Sequence, residues 1–131
     1  MHVSLMWGSQ VMQRIAREVR RAENSLSTAE KMGAIANLSN GYLYKQGDMD
    51  EAWRTLMLAQ HHDSWIVPYN GLHGKGTWAD HIHRWTAATD SICAGIVAAA
   101  EGSLAAAGNG RKEFGIRVCN TLGTPRREVV R

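Results

Sequence analysis

The chain has 131 residues, of which 44% are hydrophobic and 21% charged, with a net charge of +3. That is the composition of a soluble globular protein, long enough for one ordinary domain, or a small domain plus a fragment, to form a core without staples. It excludes a membrane span, since no apolar run approaches the ~20 residues required. So small a charge excess does not point to a nucleic-acid partner or any other polyanion. The basic residues cluster at the two ends, with Arg14, Arg17, Arg20 and Arg21 early and Arg126, Arg127 and Arg131 late. Early in the chain they mix with Glu18 and Glu23, as on a solvated face with local ion pairs. Cys93 and Cys119 are isolated from one another, and no disulfide is implied. Met1 to Trp7 lacks a basic region followed by a long apolar core, so no signal peptide is expected there.

From Gln10 to about Asn40 the apolar residues Ile15, Val19, Ala22, Leu26, Ala29 and Met32 recur three and four apart. This periodicity predicts one long helix, roughly 45 Å at the usual rise. Ser27 to Glu30 has a capping-box pattern, but the apolar stripe crosses it without changing phase, so continuity is expected. Gly41 and Gly47-Asp48 are expected to bracket a turn. A second helix should start at Asp48, capped by its side chain with Glu51 three residues on. Its inward face is expected at Ala52, Leu56 and Ala59, widened by Trp53 and Met57. Pro68, Asn70-Gly71, Gly74 and Gly76 demand a loop.

A third helix opens at Thr77, with Asp80 in the capping-box position. Its expected seam is Ile82, Trp85, Thr89, Ile92, Ile96 and Ala99. Gly108-Asn109-Gly110 ends it. Gly115 to Asn120 then alternates with period two, as a strand does, and Glu128 to Val130 begins a second extended run. Three helices, each with one apolar face and short connections, predict an all-α fold, an antiparallel three-helix bundle. The expected division is residues 1–107 for the bundle and 108–131 for a linker and a truncated β domain, reduced to a short hairpin or extended segment. The apolar edge of such a hairpin would favour self-association into a homo-oligomer.

The chemistry-bearing residues concentrate at Gln60-His61-His62-Asp63, at the end of the second helix. Imidazole and carboxylate together can ligate a metal or hold a polar substrate. Adjacent residues on a helix point ~100° apart, so both imidazoles can aim at one ion only where the helix has already ended. Against a site stands the plainer reading that both histidines face solvent or cap the helix C-terminus. His73, His81 and His83 lack the i, i+4 spacing of helical ligands and read as surface residues. The loop from Gly71 to Thr77 lacks phosphate-cradle spacing and reads as a structural turn.

Four segments, in this order, resemble glycoside hydrolase family 38, the α-mannosidases. They are Arg20 to Glu30; Ala52-Trp53 followed by Gln60 to Asp63; Gly76-Thr77-Trp78; and Val118 to Arg126. The resemblance is to the family's middle three-helix domain and the opening of its C-terminal β domain. The Ser64 to Asn70 continuation looks more like a bacterial branch, with a cytoplasmic or periplasmic parent. The resemblance implies a retaining, zinc-dependent enzyme acting on terminal α-mannosides. It implies zinc as the cofactor, His62 as one zinc ligand, Asp63 as a sugar contact and His61 as its supporting neighbour in substrate binding. No catalytic residue is expected in this chain. The nucleophile and the other zinc ligands would lie in an N-terminal α/β domain, so the chain alone is expected to be inactive. A stand-alone helical binding module without catalysis is the alternative.

Overall fold

A computed structural model describes residues 13–69, 76–106 and 118–127. Its four helices are α1 (Gln13–Asn40), α2 (Gln46–Ala59), α3 (His62–Ile66) and α4 (Trp78–Ala106). The fold is all-α, and α1, α2 and α4 form the expected three-helix bundle.

Helix α1 runs unbroken past Ser27, burying Ile15, Val19, Ala22, Leu26, Ala29, Met32 and Ala36. Gly41 stops it: at φ 73° it adopts the left-handed conformation that glycine tolerates, and its amide donates to the Asn37 carbonyl at 2.8 Å. Gly33, inside the helix, makes room for a neighbour. A Cβ there would lie 2.7 Å from the Tyr44 ring, which folds back from the α1–α2 connection.

Pairings across the bundle fix its direction. Trp53 donates to Glu30 and Gln60 to Glu23, so α2 runs antiparallel to α1. Glu18 meets His83, Arg21 meets Asp90, and Asn40 meets Ser103, so α4 runs parallel to α1. The chain therefore goes up, down and up again.

Two details of α2 differ from the sequence reading. It starts at Gln46 and takes in Gly47, because the Asp48 and Met49 amides both reach back to the Lys45 carbonyl. Lys45 is the cap, no side chain caps the free amides, and Asp48 lies within the first turn. The inward face is Met49, Ala52, Thr55, Leu56 and Ala59, whereas Trp53 and Met57 are 41% and 58% exposed. Ala22, Ala29, Ala52 and Ala59 are all fully buried, so the helices meet through small residues and approach closely. A bulky Trp53 belongs outside such a contact.

Helix α4 shows a similar shift. It buries Ile82, Thr86, Thr89, Cys93, Ile96, Ala100 and Leu104. Trp85 and Ile92 are only partly buried, and Ala99 is exposed. Thr86 and Thr89 can occupy the seam because each hydroxyl donates to a carbonyl of its own helix. Burial also pushes the Cys93 thiol up to about 11, as expected for an inert core thiol.

The main core lies where all three long helices meet. A second cluster, Met32, Ala36, Ala100 and Leu104, lies between α1 and α4, with Tyr42 of the α1–α2 connection packed against it. Residues 118–127 contain no strand; Asn120 forms a local turn, accepting from the Leu122 amide and donating to the Thr124 carbonyl. The rest of the expected strand, 115–117, the linker at 108–110 and the second extended run at 128–130 lie outside the described residues. No described helix is long and apolar enough to cross a membrane.

Candidate functional site

The site begins with the end of α2. The Gln60 amide donates to the Leu56 and Met57 carbonyls, and the His61 amide to the Leu58 carbonyl. The Ala59 carbonyl takes the Trp65 indole N–H at 2.8 Å. These bonds satisfy the carbonyls a helix C-terminus leaves open. His61 is then extended (φ −62°, ψ 123°), and α3 starts at His62. The condition for both imidazoles to face one way is met, because the helix ends before them.

His61, His62 and Asp63 all project into solvent, with side chains 54%, 77% and 63% exposed. The two imidazoles stack with centroids 4.8 Å apart. His62 Nε2 lies 3.2 Å from Asp63 Oδ1, and His61 Nδ1 lies 3.9 Å from Asp63 Oδ2. Three ligand atoms, one from each residue, fall within 4.8 Å of one another; this is the one such cluster among the described residues.

Two nitrogens and an oxygen are the donors a catalytic zinc takes, with an open position for substrate. Donors bound at ~2.1 Å to one ion can be at most about 4.2 Å apart. The His62–Asp63 pair lies well inside that limit. His61 Nδ1, 3.9 Å from Asp63 Oδ2, lies just inside it. The donor set therefore fits zinc in chemistry, with His62 and Asp63 nearest to a coordinating arrangement.

Behind the cluster stands a polar contact between helices. Glu23, on α1, accepts a hydrogen bond from Gln60 Nε2 with one carboxylate oxygen and pairs with Arg20 Nη1 through the other. These three residues, with Ala16, Val19 and Trp65, line an open cleft of about 320 Å³. Sequence reading did not connect Glu23 or Trp65 to the site. Their partners are 37 and six residues away; Glu23 lies in the first of the four segments that carry the resemblance, and Trp65 lies in none of them.

The other histidines do not join the cluster. His83 is exposed and meets Glu18 at 3.1 Å. His81 is partly buried rather than a plain surface residue; its ring lies 6.0 Å from Trp78 and 5.4 Å from Trp85. His73 and residues 71–75 of its loop lie outside the described residues. At the loop's end the Thr77 amide is taken by Asp80, so it is not open to an anion. The Ala79 amide donates to the Pro68 carbonyl, tying the start of α4 to the segment that leaves α3. Arg14, Arg20 and Arg21 pair with Glu18, Glu23 and Asp90, in keeping with a solvated, ion-paired face.

A family model, the alpha mannosidase middle domain, matches residues 8–68. The match takes in α1, α2 and the whole His61–Asp63 cluster, and stops short of α4. No curated protein and no solved structure matched the chain.

Proposed function

We propose, from the match of residues 8–68 to the alpha mannosidase middle domain, that this chain supplies one wall of the sugar site of a retaining, zinc-dependent α-mannosidase. One observation carries the reading. Inside the matched segment, two imidazoles and a carboxylate converge on an exposed turn where no packing role accounts for them. In this reading the parent is a member of glycoside hydrolase family 38, and N-terminal α/β and C-terminal β domains complete it.

Bound zinc would supply a Lewis-acid hold on the hydroxyls of a terminal mannose. His62 would hold the metal through a ring nitrogen. Asp63 would accept hydrogen bonds from sugar hydroxyls and so orient the ring. His61 would back His62 by stacking and face the substrate. A retaining mechanism needs two carboxyl groups ~5 Å apart across the scissile bond. Asp63 is the single carboxylate in the cluster, so in this reading the nucleophile comes from another domain.

The test is hydrolysis of an aryl α-mannoside by the whole enzyme that carries this chain. His62→Ala and Asp63→Asn should each lower kcat/KM by at least roughly a hundredfold, the scale of losing a metal ligand or a group that binds the transition state. Full activity in both variants would overturn the reading. So would turnover by the 131-residue chain alone that a chelator abolishes.

A further inference from the structure

The cluster is carried by a turn, yet it is held at both ends. On one side, Gln60 leads directly into His61, and its carboxamide is anchored to Glu23 of the neighbouring helix. Glu23 is itself fixed: Arg20 pairs with its second oxygen, and its side chain is only 29% exposed. On the other side, the Trp65 indole is tied to the last carbonyl of α2, and the Ser64 amide donates to the His61 carbonyl at 3.1 Å. Ser64 is buried at 1% exposure, so the turn is pinned to the bundle there. Between these anchors only His61, His62 and Asp63 project freely.

Among the described residues, the Gln60–Glu23 bond is the anchor on the approach side that comes from outside the turn and α2. The backbone bonds of Gln60 and His61 reach only the last turn of α2, which sets where that helix ends. They do not tie the turn to α1. A charge-assisted hydrogen bond donated to a partly shielded carboxylate of α1 does tie it there.

We propose that Glu23 is a positioning residue for the His61–Asp63 cluster. Acting through Gln60, it holds the two imidazoles in one stacked arrangement facing the sugar site. This rests on the reading of the cluster as the chain's contribution to that site. A carboxylate that grips the turn from α1 lowers the entropy of arranging the cluster's donors, as sites held by supporting hydrogen bonds do.

The test uses the 131-residue chain and its Glu23→Ala and Glu23→Gln variants. Glu23→Gln keeps an oxygen that can accept from Gln60 and loses the ion pair with Arg20. NMR reads two signals: the ring-current displacement of the His61 and His62 imidazole protons, which their stacking produces, and hydrogen exchange at the Ser64 amide. In Glu23→Ala the displacement should fall by at least half, and Ser64 exchange should speed up roughly tenfold, the scale of losing one charge-assisted bond. Exchange in the core of α4, at Cys93 and Ile96, should stay unchanged. Glu23→Gln should recover most of both signals.

Unchanged imidazole shifts in Glu23→Ala would overturn the proposal. Loss of α4 protection in step with Ser64 would also overturn it, since Glu23 would then be a general stability residue. A zinc titration of the wild-type chain is read separately. Failure to bind zinc, with the NMR result as expected, would count against the metal reading and leave the positioning role standing.

Discussion

The hydroxyls of Thr55 and Thr89 meet 2.8 Å apart in the core, across the α2–α4 interface. Each has a second outlet. Thr55 donates to Glu51 and Ala52 carbonyls of its own helix, and Thr89 to the Trp85 carbonyl. Removing one hydroxyl therefore leaves the other with a partner, so the full cost of stranding a buried donor does not arise. Thr89→Val should lower stability by about 1 kcal/mol, the net worth of one hydrogen bond. Thr55→Val should cost about the same, and the double variant less than the sum, because the shared bond is lost only once. Urea denaturation of the four proteins checks this. Strict additivity would show that the two hydroxyls do not interact. The bond between the two threonines is not legible in the sequence. Thr89 was legible as a seam residue, but Thr55 was passed over for the larger Trp53 and Met57, because apolar bulk ranks above a hydroxyl until its bonds are seen.

At the scale of elements, the two long helices were the most legible parts. The apolar stripe of α1 is buried nearly residue for residue, and Thr77 and Asp80 form the capping box their spacing predicted, with Asp80 Oδ2 2.8 Å from both the amide and the hydroxyl of Thr77. What could not be read were features set by contact with another element. The grip of Glu23 on Gln60, for example, joins residues 37 apart. The capping box has a pH consequence. The bond from the Thr77 amide, then that from its hydroxyl, stabilises the charged carboxylate and lowers the Asp80 pKa from its ordinary 3.8. A carboxyl lowered by folding contributes stability that is complete above its unfolded value and lost as pH falls through its folded value. The N-terminus of α4 should thus hold at neutral pH and fray in acid below 3.8. Asp80→Asn should weaken it at neutral pH and remove that acid step. The Thr77 amide resonance followed during an acid titration reports on it directly, and superimposable titrations of the two proteins would refute the assignment.

For the molecule as a whole, the decisive fact is that α2 is half the length of its partners: 14 residues against 28 and 29. Where it is present, three helices enclose Leu26, which is 1% exposed. Beyond it, α1 and α4 continue as a pair, and among the described residues Leu104 packs in a cluster of that pair and Tyr42. Equal burial of an apolar side chain need not mean equal coupling to the rest of the fold, since regions with fewer packed neighbours open at lower free energy than the global transition. Leu26→Ala should cost about 2–5 kcal/mol and lower the global unfolding midpoint, because it opens a cavity among all three helices. Leu104→Ala should instead speed amide exchange at the C-terminal end of α4 and barely shift that midpoint. Urea unfolding paired with native-state hydrogen exchange separates the two, and equal midpoint shifts would show a single cooperative core. The His61–Asp63 turn lies at the α2 end remote from that second cluster, next to Ala59 and Ile82 of the three-helix core. Opening of the far pair would then leave the turn in place. A candidate site on the more cohesive end of the bundle would thus keep its side chains in place while the far end opens, as a preorganised site requires.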